Sequence, residues 1–154
     1  MRDSSQEMLS IGYGVEGMKR KSIKSLTQDV WRVFSEYIRK RDCLLATGSL
    51  EYGECFTCDF SGLISELQAG HFIPGRHNAY LFSERGVHAQ CVKCNLWLGG
   101  NPHEYRRRMV ELYGEDVTMK LEVEARENKK FTISELERLK KELKEKIKIL
   151  EVKE

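Results

Sequence analysis

No stretch of the 154-residue chain approaches the ~20 consecutive apolar residues that a bilayer-spanning helix needs. The first ten residues, Met1 to Ser10, mix both charges with polar side chains and lack the apolar centre of a secretory signal. Proline is scarce, and both copies read as boundaries: Pro74-Gly75 as a turn and Pro102 as the first position of a helix. No internal repeat is visible. Charge of one sign is also lacking, because 26 Lys+Arg face 24 Asp+Glu for a formal net charge of +2, so bulk charge names no partner. These absences lead us to expect a soluble, cytoplasmic protein of one domain with helical extensions, with no membrane partner. In that compartment five cysteines are not expected to be structural disulfides.

What is present is unevenly distributed. Residues 1–24 read as a flexible basic lead-in, 25–130 as the central domain and 131–154 as an amphipathic C-terminal helix. Val30, Phe34, Tyr37 and Ile38 fall at i, i+4, i+7 and i+8, the stripe of a helix, widened by Trp31 and Val33 and capped by Ser25 or Thr27. Between residues 19 and 41 eight basic side chains oppose two acidic ones. Short strands fit Ala69–Ile73 and Val87–Gln90. Asn101-Pro102-His103-Glu104 predicts a capped helix start, with Tyr105, Met109, Leu112 and Tyr113 on one face, Arg106, Arg107 and Arg108 beside them, and Gly114 ending it. A further helix is expected from about 115 to 126. Thr132-x-x-Glu135 is a second capping box, opening a helix striped by Leu136, Leu139, Leu143, Ile147 and Leu150. At about three heptads, with Lys146 on the seam, this helix suits docking on the core better than a free coiled coil.

Cys55-Phe-Thr-Cys58 and Cys91-Val-Lys-Cys94 are two C-x-x-C pairs 32 residues apart. Two-residue spacing lets both thiolates of a pair reach one ion, and two pairs complete the tetrahedral sulfur shell of a structural Zn²⁺. A redox role would call for a thioredoxin-like strand-helix setting, which is not visible. Cys43 is left over as a buried thiol. A structural zinc site needs nothing particular between its knuckles, yet this one encloses Gln68-Ala-Gly-His71-Phe-Ile-Pro-Gly-Arg76 and Gly86-Val-His88-Ala-Gln90, with Asn95 directly after the last thiolate. A neutral imidazole at His71 can deprotonate water for attack on phosphorus. The amide oxygen of Asn95 is a hard donor suited to Mg²⁺ or Mn²⁺. Tethered to one metal knot, the two are expected to face each other.

The pattern C-x-x-C … GHFIPGR … VHAQCVKCN … GN resembles the HNH (ββα-metal) nucleases built on a treble-clef zinc site. It resembles more closely the phage NinG/Rap recombination endonucleases, over roughly residues 28–115, and more distantly the phage endonuclease VII resolvases. The resemblance implies an α+β fold with a zinc-bound HNH-like core, flanking helices and a long C-terminal helix. It implies a phage- or prophage-encoded, metal-dependent DNA endonuclease acting on branched recombination intermediates such as Holliday junctions and D-loops. His71 then matches the general base, Cys55, Cys58, Cys91 and Cys94 the zinc ligands, and Asn95 a ligand of the catalytic Mg²⁺ or Mn²⁺. Gly70 stands where many HNH enzymes carry a metal-binding Asp, and Gly86 where a middle Asn braces the base, unless Asn78 or a backbone contact does so. His88 becomes a candidate second ligand, facing either the site or solvent. Arg76, Lys93, Arg106 and Arg107 are candidate DNA contacts, while His77 and His103 read as solvated. A homodimer suits a symmetric junction cut twice. The alternative is a catalytically weak or inactive zinc-stabilised DNA-binding or adaptor protein.

Overall fold

The computed structural model describes residues 19–74 and 78–154, without the side chain of Asn78. Most of the lead-in, Gly75, Arg76 and His77 therefore lie outside the described residues. The first helix, α1 (Ile23–Thr47), starts earlier than the sequence predicts. Its cap is Ser22, extended at φ −66° and ψ 156°, whose hydroxyl accepts from the Ser25 N–H at 3.1 Å. Thr27, one of the expected caps, instead donates to the Ile23 carbonyl inside the helix. Gly48 ends α1 in the left-handed region at φ +76°, where glycine carries no Cβ penalty.

Two antiparallel pairs of strands follow. β1 (Tyr52–Glu54) and β2 (Ser61–Leu63) pair Tyr52 with Leu63 and Glu54 with Ser61, with the first C-x-x-C in the turn between them. β3 (Leu67–His71) and β4 (Val87–Cys91) pair Leu67 with Cys91 and His71 with Val87. β3 thus begins two residues before the sequence suggests and stops at His71. Cys91 closes β4, and a turn of π-helix, Lys93–Trp97, carries Cys94 and Asn95.

Helix α2 (Pro102–Tyr113) has Pro102 at its start but no side-chain cap. Asn101 sits at φ +49° and turns its amide toward the Thr57 carbonyl and Cys94 Sγ, while Glu104 pairs with Arg107. Tyr105 and Met109 are buried as expected, but Leu112 is exposed, because neighbours four apart (105, 109, 113) set the inward face. Gly114 joins α2 to α3 (Glu115–Glu124). The box at Thr132 and Glu135 forms and opens α4 (Ile133–Lys153).

The main core lies between α1 and α4, with Leu26, Val30, Phe34, Tyr37 and Ile38 against Leu136, Leu143 and Ile147, and Ala69 and Val87 joining from the hairpin. Lys140 approaches Asp29 and Lys40 meets Glu151, so the two helices run in the same direction. A second core of Phe72, Tyr80, Tyr105, Met109, Leu121 and Ala125 ties α2 and α3 to the other side of the hairpin. The fold is α+β, with two small sheets held between helices. Among the described residues no helix is long and apolar enough to cross a membrane.

Candidate metal centre and active site

The thiols of Cys55, Cys58, Cys91 and Cys94 all lie within 4.8 Å of one another. Cys58 Sγ and Cys91 Sγ are 3.7 Å apart, close to the ~3.8 Å that tetrahedral Zn–S bonds of ~2.3 Å impose between sulfurs. Local geometry builds each knuckle: the Cys55 N–H bonds the Phe60 carbonyl at 2.8 Å, and the Cys94 N–H faces Cys91 Sγ at 3.5 Å. Burial alone would raise the Cys55 thiol, but the Cys91 backbone and the Thr57 hydroxyl bring it down to about 7. Burial raises Cys58 and Cys91, and the neighbouring Cys94 thiol pushes both the same way. This donor set fits Zn²⁺. Cys43 is not among the four; it is fully buried on α1, and burial pushes its thiol up to about 11.

The hairpin anchored at this cluster presents two different faces. Leu67, Ala69, Val87 and Ala89 pack toward α1. His71 shares that side: its ring stacks on Trp31 of α1, with centroids 5.0 Å apart and planes 15° from parallel. Its Nε2 lies 3.1 Å from the Leu81 carbonyl. A carbonyl only accepts, so the proton sits on Nε2 and the Nδ1 lone pair is left to act as a base. Burial lowers the His71 pKa below its ordinary value, keeping the ring neutral near pH 7. The Leu81 carbonyl is therefore the backbone contact that steadies the imidazole without a middle Asn. Gly86 is needed for another reason: a Cβ there would come within 2.0 Å of the Tyr80 hydroxyl.

Asn95 lies on the other face. Its Nδ2 donates to Gln68 Oε1 at 2.8 Å, and its Oδ1 is 3.0 Å from where a Cβ on residue 70 would stand. The imidazole and the amide thus do not face each other across the hairpin, because adjacent strand residues point to opposite sides. They flank β3, whose one edge is paired with β4 and whose other edge carries no strand among the described residues.

The family model for the bacteriophage lambda NinG protein matches residues 14–154. The chain belongs to the NinG family. It is 32% identical over 118 residues to the protein ninG of Escherichia phage lambda, covering 74% of this chain and 52% of that protein. It therefore spans about half the length of that NinG relative. No solved structure matches it.

Not every residue singled out in this NinG-family chain is placed for its expected task. His88 is buried and committed elsewhere. Its Nδ1 meets Asp42 at 3.2 Å, its Nε2 meets the Tyr113 hydroxyl at 3.0 Å and the Arg85 carbonyl at 3.2 Å, and its ring stacks on Phe56 at 4.1 Å. With both nitrogens engaged it offers no ligand to a metal beside Asn95. Asp42 is buried; burial would raise its carboxyl, but His88 and Arg41 hold it below its usual value. Arg106 pairs with Glu115 and Glu122, and Arg107 with Glu104 and Glu111, so α2 presents a largely neutralised face. Part of the basic run is also spent internally, as Lys21 and Arg32 both meet Asp29. Lys93 is exposed in the second knuckle and has no acidic partner among the described residues.

Two contributors escape the sequence reading. Trp31 reads as a broadening of the helix stripe, yet it forms the wall behind the imidazole. Gln90 is fully buried on the same face as Asn95, and its Nε2 donates to Thr57 Oγ1 and the Gly100 carbonyl, both at 2.9 Å. Its Oε1 is buried without a hydrogen-bond partner, an arrangement that ordinarily costs about 1–3 kcal/mol. The signal was its position two residues from His88 on one strand face, next to Cys91.

Proposed function

We propose that the chain is a metal-dependent DNA endonuclease acting on branched recombination intermediates, with a treble-clef ββα-metal core. One observation carries the reading: a neutral imidazole with a fixed tautomer ends a short strand against whose Gly70 the Asn95 amide oxygen is packed, on a hairpin pinned by four clustered thiols. Family membership supports the same reading.

In this mechanism Cys55, Cys58, Cys91 and Cys94 hold a structural Zn²⁺ and so fix the register of the hairpin. His71 Nδ1 takes a proton from the attacking water. Leu81 and Trp31 hold the ring so that this lone pair points outward. A phosphate lying across the open edge of β3 is reached by His71 from one side and by the Asn95 region from the other. Asn95 Oδ1 is a hard donor that fits Mg²⁺ or Mn²⁺, which when bound stabilises negative charge on phosphorus oxygens and on the leaving oxygen. Lys93, exposed in the second knuckle, supplies a phosphate contact. Arg76 is proposed for the same task from sequence, while Arg106 and Arg107 would first have to exchange their glutamates for phosphate. Expression from a phage or prophage in the bacterial cytoplasm, and a dimer on a two-fold junction, complete the proposal.

A second reading, a zinc-stabilised DNA-binding or adaptor protein with little or no catalysis, is favoured by the groups that meet Asn95 and Gly70 among the described residues, which are the amides of Gln68 and Gln90 and no carboxylate. Incubating the protein with four-way-junction DNA and Mg²⁺ or Mn²⁺, beside His71→Ala, separates the two. Cleavage by the wild type alone supports the nuclease; binding without cleavage across both metals supports the adaptor.

A further inference from the structure

The carboxamide of Gln90 is oriented by its surroundings. The Gly100 carbonyl can only accept, so the NH₂ end must face it, and the Thr57 hydroxyl takes the second N–H. Thr57 Oγ1 lies 3.6 Å from Cys55 Sγ, so its own proton can go to the thiolate, linking Gln90 to the zinc knuckle. Among the described residues Oε1 thereby meets no donor, and it is aimed beneath Gly70.

It comes within 1.9 Å of where a Cβ on residue 70 would stand, and Asn95 Oδ1 comes within 3.0 Å of the same point. Two hard oxygens therefore converge under a residue that has no side chain, and one of them is fully buried without a partner. Tyr105 fixes the roof by donating to the Gly70 carbonyl at 2.6 Å. Two amides that repel at their oxygen ends are stable together when a cation lies between or beside them.

We propose that Gln90 Oε1 is a protein ligand of the hard divalent cation, Mg²⁺ or Mn²⁺, together with Asn95 Oδ1. The assignment rests on the reading of Asn95 as a ligand of such an ion. Gln90 then supplies from β4 what an acidic residue at position 70 would have supplied from β3, and Gly70 is the space that lets it do so. Both ligands are neutral, so the ion binds weakly to the protein alone and gains from phosphate oxygens as further ligands.

The test is Mn²⁺ titration of the full-length, zinc-loaded protein, followed by the electron paramagnetic resonance signal of free Mn²⁺. Gln90→Leu removes the oxygen at similar volume and is expected to weaken Mn²⁺ binding by about tenfold or more. Gln90→Glu adds a charge at the same atom and is expected to tighten it by about tenfold. Zinc content and the thermal midpoint report folding of each variant. If Gln90→Leu does not fold, Gln90→Glu carries the test, since a purely structural amide predicts lower stability with no gain in Mn²⁺ affinity. Equal Mn²⁺ affinity in the variants and the wild type, or no binding by any of them at millimolar Mn²⁺, overturns the assignment. Mn²⁺ affinity that follows residue 90 without any junction cleavage leaves the ligand standing and removes the nuclease. Metal-dependent cleavage with unchanged affinity in the variants does the reverse.

Discussion

In the proposed mechanism His71 is the general base, and its environment makes a pH prediction. Burial against Trp31 lowers its pKa below 6.5, so the ring must be deprotonated to act and is so at neutral pH. Cleavage should therefore rise with pH through a value below 6.5 and level off above it, as read from a pH–rate profile. Trp31→Ala admits water to the ring; the acid limb should move up toward 6.5 and the rate should fall. The same burial makes stability drop as pH falls below about 6.5, because the unfolded chain then takes up a proton that the native ring resists. Gly70→Asp, which restores the residue common in the wider superfamily, should destabilise the protein by about 1–3 kcal/mol in urea unfolding, since its Cβ would collide with Gln90 Oε1. The place of His71 in a strand just before a turn is legible in the sequence. The stack of Trp31 on His71 and the approach of Gln90 and Asn95 to Gly70 are not, because each arises only through tertiary packing.

Among the elements, those with a strong local code were readable. The stripe Val30, Phe34, Tyr37, Ile38 is buried, and the Thr132 box opens α4 where expected. β1 and β2 were not anticipated, because three-residue strands carry no measurable period. Leu67 joins β3 only because it pairs with Cys91, 24 residues further on. α4 docks on α1 as its short heptad run suggested, so Leu143→Ala should cost about 2–5 kcal/mol by removing a buried side chain between the two helices. The measurement is the urea midpoint at two protein concentrations. A midpoint independent of concentration agrees with docking within one chain, whereas a concentration-dependent midpoint would assign α4 to a dimer.

At the scale of the whole molecule, the near-zero net charge conceals an uneven surface. Many of the basic side chains that looked ready for DNA are paired internally, whereas Lys93 in the second knuckle has no acidic partner among the described residues. Lys93→Ala should weaken DNA binding evenly across sequences and reduce the slope of log K against log[salt] by about one. Removing the metal with a chelator, or replacing Cys58 by Ser, should unfold the central region and abolish its near-ultraviolet dichroism, because metal binding and folding are coupled at such sites. The strands, the turn carrying Asn95 and the start of α2 all depend on that cluster. The most direct measurement of the central claim is cleavage of a four-way DNA junction by zinc-loaded protein in Mg²⁺ or Mn²⁺, run beside His71→Ala. The account predicts cleavage that requires the divalent ion and falls by about 10²–10⁴-fold in the variant; equal cleavage by both proteins, or none by the wild type while it still binds the junction, would contradict it.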